Sequence, residues 1–553
     1  MPPALSAALR AVGMSSTKSS AAGIEVQRAG RRLNFLDVHA PQIVAAHEAG
    51  LLHGMPEPLS RCALAADYRR IALYGVEYLR SDCRQMLRAL NEAPFTQELM
   101  QQRRSLSEQM LALEELRDVA LSQGVDISRP AANAHEAVQW MTLAAMALAG
   151  ESNGAAFPSA RASAFLDVYI QRDMDEGLLN EQQAQLLIDE WLLKLSNMRL
   201  LCGAEPNAES GDAAVLIECL AGMAQDAQPL VTRTTFRWLQ ALRHCTAEHL
   251  PNVAALWSSA LPRGFRNFCS EVARETGVIR FENDTGLRSH LGDDYVVCSS
   301  APALRLGQQV LLDAGHVNLP KALLYAINGG VDEESGVLVA RGLGTFWGDV
   351  LEYDDIVRRL DRMLDWLATN CVNAFNSAHF LHDRLADASL SMALHDSDAE
   401  HVMACSVDGL AVLADSLSAI RYARVQVLRN EDGLAVDFKV DESFPACGRI
   451  GGVADEIAHA LCDVFAQKLR AQPFIYRNAQ PVVVPANTSA NTSAGAKTGS
   501  TPCGRHAGEA FTVWSTDEVR RWSTGQLVRD RVREDCETKL RVVFAALAEA
   551  GCH

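Results

Sequence analysis

No two cysteines in this chain form a C-x-x-C pair, although fourteen run singly from Cys62 to Cys552. A zinc site or iron–sulfur cluster of the usual spacing is therefore not expected, and no metal is assigned. Scattered cysteines with no secretory signal fit a reducing compartment, where a thiol acts as a small buried apolar group. Long apolar runs are missing too. The longest, such as Met141 to Gly150, fall well short of the roughly 20 residues that a bilayer span needs. Positive charge is in deficit: 51 Lys and Arg stand against 68 Asp and Glu, a net charge of −17. Neither nucleic acid nor a membrane surface is an expected partner, since both select a basic face. No fixed-period repeat of the solenoid kind is present.

What remains is the composition of a globular protein, 48% hydrophobic and 22% charged over 553 residues. That length is ample for a large core. Residues 1–32 are rich in Ala and Ser and carry Arg10, Lys18, Arg28, Arg31 and Arg32 against the single acid Glu25. Such a stretch reads as a flexible leader or an organelle transit peptide. The expected location is the cytoplasm, or a mitochondrion or plastid if the leader is a transit peptide. Asn487-Thr488-Ser489 and Asn491-Thr492-Ser493 match the glycosylation pattern, a chance match in an unsecreted chain.

Helical patterns dominate. Asn180 with Gln183 has the form of a capping box and opens an apolar stripe through Ala184, Leu187, Ile188, Trp191, Leu192, Leu195 and Met198. Ile356, Leu360, Met363, Leu364 and Leu367 repeat the stripe, and Gln101 to Leu121 is amphipathic in the same way. Shorter strand candidates lie between helices: Val296-Val297, Val425 to Leu428, Ala435 to Phe438 and Val482 to Val484. Helices alternating with short strands predict an α/β architecture. Ala486 to Ser500, mainly Ala, Asn, Thr, Ser and Gly, predicts a flexible loop. Beyond Phe511 the chain turns into a charged segment with helical character.

A set of collinear segments goes further. They include Asn34-Phe35-Leu36-Asp37-Val38, Asp67-Tyr68-Arg69-Arg70, Asp293-Asp294-Tyr295 and Tyr325 to Glu333 (YAINGGVDE). Ser391 to Asp396 (SMALHD), Ala414 to Ile420 (ADSLSAI), Asn430 to Phe438 (NEDGLAVDF) and Lys497 to Pro502 (KTGSTP) continue the series. Together they resemble pyruvate formate-lyase, or formate C-acetyltransferase, of the glycyl radical enzymes. The resemblance runs over residues 33–511 and implies a barrel of two half-sheets ringed by helices, with the active site inside. Full-length relatives are longer at both ends. The barrel is expected to be incomplete at its C-terminus, with 512–553 a divergent tail lacking the radical-glycine domain.

In that family a backbone glycyl radical passes its electron to a pair of adjacent cysteines. One thiyl radical attacks pyruvate, formate leaves, and the acetyl group passes to coenzyme A. Sulfur suits this relay because its S–H bond is weak enough to exchange hydrogen with a glycyl radical, whereas a serine O–H bond is much stronger. Counting from both flanks, the resemblance places the cysteine pair at Ser299 and Ser300. Cys298 precedes them, but on an extended segment a shift of one residue turns a side chain to the opposite face. The arginines that clamp the pyruvate carboxylate fall at Ala63 and His316, a pocket aromatic at Asp313 and a pocket tryptophan at Val215. Ala156, beside the substrate position, and His395, at the position of the histidine near acetyl transfer, persist. No loop between Pro502 and His553 matches the family's radical-glycine loop.

The expected function is a homologue of pyruvate formate-lyase, whose family reaction takes pyruvate and coenzyme A to acetyl-CoA and formate, that has itself lost the reaction. No functional cofactor is expected. A homodimer, a heterodimer with a family member, or residual binding of a small molecule is the expected partnership. Two alternatives stand beside this: an active radical acyltransferase using Cys298 with a glycyl radical supplied in trans, and a nonfunctional truncated gene product.

Overall fold

The computed structural model describes residues 39–54, 66–91, 94, 96–151, 161–201, 217–224, 226–245, 251–297, 303–385, 389–447, 452–486 and 488–511. The leader 1–32 and the tail 512–553 lie outside the described residues.

Helices form where the apolar stripes run. Asn180 and Gln183 make the reciprocal capping bonds, at 2.9 and 3.0 Å. The helix they open, Glu181–Leu201, buries Ala184, Leu187, Ile188, Trp191, Leu192 and Leu195. Tyr353–Leu385 begins with Asp354 and Asp355 in its first turn, where the helix dipole favours negative charge. It buries Ile356, Leu360, Met363, Leu364 and Leu367. Gln97–Ser122 starts at Thr96, whose side chain accepts the Leu99 amide at 3.2 Å. No described helix is long and apolar enough to cross a membrane.

Eleven strands are described, in chain order β1 (Leu52–His53), β2 (Ile217–Ala221), β3 (Asn252–Trp257), β4 (Ile279–Asn283), β5 (Tyr295–Val296), β6 (Leu304–Arg305), β7 (Gln309–Asn318), β8 (Glu400–Asp408), β9 (Val425–Arg429), β10 (Ala435–Val440) and β11 (Gln480–Pro485). β2, β3 and β4 form a parallel sheet. Its central strand carries the unbroken run Val253-Ala254-Ala255-Leu256, fully buried as a strand covered on both faces must be. A second sheet has the order β1-β7-β8-β11, parallel apart from β1. β5 pairs with β6, and β9 with β10, as antiparallel pairs. The α/β class and the strands expected near 296, 425, 435 and 482 are therefore present. Among the described residues the two larger sheets stay separate and do not pair into one closed barrel.

The four-stranded sheet is a wall with a core on each side. Leu311, Val402 and Ala404 pack into one hydrophobic cluster, while Met403, Cys405 and Val407 pack into the other. This is the period-2 alternation of a strand buried on both faces.

One expectation fails. The segment from Ala486 to Ser500 contains the helix Thr488–Ala496, followed by buried Thr498, Ser500 and Thr501. Its small residues reflect close packing: a Cβ on Gly495 would lie 2.5 Å from the Glu509 carbonyl oxygen. Five of the nine described cysteines follow expectation. Cys83, Cys219, Cys269, Cys371 and Cys405 are buried free thiols, and burial pushes Cys219 and Cys269 up to about 12.

Candidate functional site

The site is set by an irregularity in β7. Its pairing with β8 runs Asp313 to Ala404 and resumes at His316 with Ser406, so Ala314 and Gly315 stand against Cys405 alone. This is a β-bulge, a device that re-aims the side chains beyond it. Gly315 takes the positive φ of +76° that a glycine tolerates without strain. The Asp313 carboxylate accepts the Gly315 amide at 2.9 Å and pins the turn. Asp313, expected at a pocket position, is seen to hold the backbone turn.

The extra residue decides which way His316 faces. Ahead of it, Leu311 lies on the side of the first core. Behind it, Val317 enters the second core, which puts His316 on the first side with Ser406 and Asp408. Without the bulge, His316 would turn to the opposite face. β1 supplies the third member. Its pairing sets Leu52 against Val317 and His53 against His316, so His53 joins the same face.

Three side chains meet there. His53 Nε2 lies 2.5 Å from Asp408 Oδ2, and His316 Nδ1 lies 3.0 Å from Asp408 Oδ1. The two imidazole rings stack with centroids 5.0 Å apart and planes 22° from parallel. The Asp408 side chain is fully buried, and each histidine side chain is only 8% exposed. Burial pushes the Asp408 carboxyl up, but His316 and His53 outweigh it and hold the group below its usual range. A carboxylate kept charged between two imidazoles can polarise them, orient them or share a cation with them. Gly54 completes the arrangement: at φ +58° it follows His53, and a Cβ there would come within 2.9 Å of His316 Cδ2.

His395 sits apart, just past the short helix Ser389–Ala393. The Glu151 carboxylate caps that helix by accepting the Leu390 and Ser391 amides, each at 2.8 Å, and the Ser391 hydroxyl. His395 Nδ1 donates to the Ser391 carbonyl at 2.7 Å. Burial lowers its pKa and favours the neutral imidazole.

Cys298, Ser299 and Ser300 lie outside the described residues, as do Ala63, Ala156 and Val215. The chain flanking two of these segments converges. Arg69, just after 55–65, binds Asp294, just before 298–302, at 2.7 Å. Val297 donates its amide to Cys219 Sγ at 3.3 Å. Of the sequence-based candidates, the structure brings His316 into a charged cluster. His53 and Asp408 escaped sequence reasoning. They lie 355 positions apart and only strand register joins them, so a search for closely spaced ligands had nothing to find.

The chain resembles known proteins over most of its length. The model of the family described as pyruvate formate lyase-like matches residues 29–495. PFL-like enzyme TdcE of Escherichia coli (strain K12) is 40% identical over 482 residues, covering 86% of this chain and 63% of that protein. The chain thus spans less than two thirds of that relative's length. Among solved structures, the glycerol-bound B12-independent glycerol dehydratase of Clostridium butyricum superimposes with a TM-score of 0.72 at 14% identity, covering 93% of this chain and 75% of its own. A Roseburia inulinivorans protein of 1,2-propanediol dehydration gives 0.70 at 16%, covering 93% and 76%. A glycyl radical enzyme from Archaeoglobus fulgidus gives 0.67 at 15%, covering 91% and 76%. These three likenesses show the fold.

Proposed function

Because the chain belongs to the pyruvate formate lyase-like family, we propose that it is a divergent member which keeps the family fold and has lost the conversion of pyruvate and coenzyme A to acetyl-CoA and formate. The observation that carries this reading is the commitment of His316 to Asp408 at 3.0 Å. His316 falls where the family resemblance puts a carboxylate-clamping arginine. An arginine offers a planar fork of donors matched to a carboxylate. Here the fork is replaced by an imidazole whose Nδ1 already faces a buried carboxylate. A negative charge at that position opposes an anionic substrate and weakens differential binding of the transition state. The serines at 299 and 300 support the same reading, because a strong O–H bond does not take part in the hydrogen exchange that a thiol allows.

The test is formate release. Purified chain treated with a glycyl-radical activating enzyme, then given pyruvate and coenzyme A, is expected to release no formate above background. Ser299→Cys combined with Ser300→Cys is expected to remain silent, since the clamp is still replaced. Formate release by the unmodified chain, abolished by Cys298→Ala, would overturn the reading and establish an active radical acyltransferase built on that thiol.

A further inference from the structure

The geometry points to a divalent transition-metal site formed by His53, His316 and Asp408. Their donor atoms lie within 4.8 Å of one another, and all three residues are buried. Each comes from a different strand of one sheet, so backbone pairing fixes their relative positions before any ligand arrives. That is the preorganisation which a site on rigid elements supplies. The bulge at Gly315 and the bare Cα of Gly54 both serve to bring the His316 ring to this place.

The donor set selects the ligand class. Two imidazoles and one carboxylate suit borderline cations such as Zn2+, Fe2+ or Co2+. Mg2+ and Ca2+ favour all-oxygen sites, and soft Cu+ favours thiolate or thioether donors. For the metal to bind, each imidazole must carry its proton on the nitrogen away from Asp408, leaving His53 Nε2 and His316 Nδ1 as lone-pair donors. The carboxylate then gives up its two hydrogen bonds and coordinates. Three protein donors leave the remaining positions to water or a small molecule, the open arrangement of a working metal centre rather than a closed structural one. The rival account is a metal-free buried His–Asp–His network.

Titration of the full chain with Co2+, followed by visible absorption and by displacement with Zn2+, separates the two accounts. One Co2+ per chain is expected, giving the intense d–d bands of a low-coordinate nitrogen–oxygen site and displaced by Zn2+. Asp408→Asn, His53→Gln and His316→Gln should each weaken binding by more than the roughly 10–100-fold that outer-shell changes cost. His401→Gln should leave it unchanged. Because loss of a buried partner can unfold a variant, thermal melts run alongside. Zn2+ should raise the Tm of the unmodified chain and not of the folded Asp408→Asn or His53→Gln variants. A folded unmodified chain that binds no Co2+ or Zn2+, or folded variants that bind as tightly as the parent, would overturn the assignment and leave a hydrogen-bonded network. A bound cation would neutralise Asp408, so the charge opposing an anionic substrate belongs to the metal-free chain; the formate assay and the metal titration stay separable, because the serines at 299 and 300 keep either form silent.

Discussion

Two ionisable residues away from the His–Asp cluster show how burial sets local chemistry. His401, at the start of β8, has its pKa lowered to about 4, first by burial and then by the Arg477 guanidinium, 3.4 Å from its Nε2. Asp383 opposes this shift and His395 adds to it. The unfolded chain takes up the proton near pH 6.5 and the folded chain only near 4, so the unfolded state binds more protons between those values. Stability should therefore be full above pH 6.5 and fall as pH drops toward 4, by about 2 kcal/mol for this ring after allowance for its partial exposure. Denaturant melts at pH 7 and pH 5 should show His401→Gln losing less stability on acidification than the parent. An identical loss would show that the ring is not responsible. Lys321 is the second case. It is fully buried, and its Nζ lies 2.9 Å from Asp332, 3.0 Å from Glu333 and 2.9 Å from the Lys497 carbonyl oxygen. Burial pulls the ammonium down, yet the two carboxylates more than restore it. Lys321→Met would strand both acids without their cation and should cost about 3–5 kcal/mol in an equilibrium melt; a cost below about 1 kcal/mol would mean that neighbouring donors replace it.

Among the elements, what the sequence disclosed and what it concealed divide along one line. Local signals were legible: the reciprocal Asn180–Gln183 cap, the stripe from Ile356 to Leu367, and the β-branched strand near 482. The helix Thr488–Ala496 was not, because its Ala, Ser and Gly content carries the same composition as a linker. The difference lies in tertiary contact, with Ala490 and Ala494 buried and Gly495 closed on by the backbone of residues 509–511. The family positions could be counted along the chain, yet the partners of His316 could not, since β1 and β8 reach it through pairing rather than proximity in sequence. The bulge makes the same point physically. Gly315→Ala places a Cβ at φ +76° and should cost more than about 1 kcal/mol. It should also loosen the aim of His316, so the variant is expected to lose Co2+ affinity along with stability. Unchanged stability and affinity together would show that the bulge is incidental to the site.

At the scale of the whole molecule, the β1-β7-β8-β11 sheet is the common wall of two cores. Leu311, Val402 and Ala404 belong to the core that contains the Ala134–Glu151 and Glu181–Leu201 helices, whereas Met403, Cys405 and Val407 belong to the core under Tyr353–Leu385 and Leu410–Tyr422. Alternate residues of one strand therefore serve both clusters, and neither core can lose this wall and keep its packing. A chain of this length would ordinarily be free to unfold in parts. The shared strands remove that freedom, because melting either core strips one face of a sheet that the other still needs. Leu311→Ala and Met403→Ala each open a cavity on a different side, and each should cost about 2–5 kcal/mol. Monitored by tryptophan fluorescence, which reports Trp140, Trp191, Trp238 and Trp257 in the first core and Trp366 against the second, and by far-UV circular dichroism, which reports the whole, both variants should shift one coincident transition to lower denaturant. Two separate transitions, with Leu311→Ala moving one and Met403→Ala moving only the other, would show that the cores unfold independently and that the wall does not couple them.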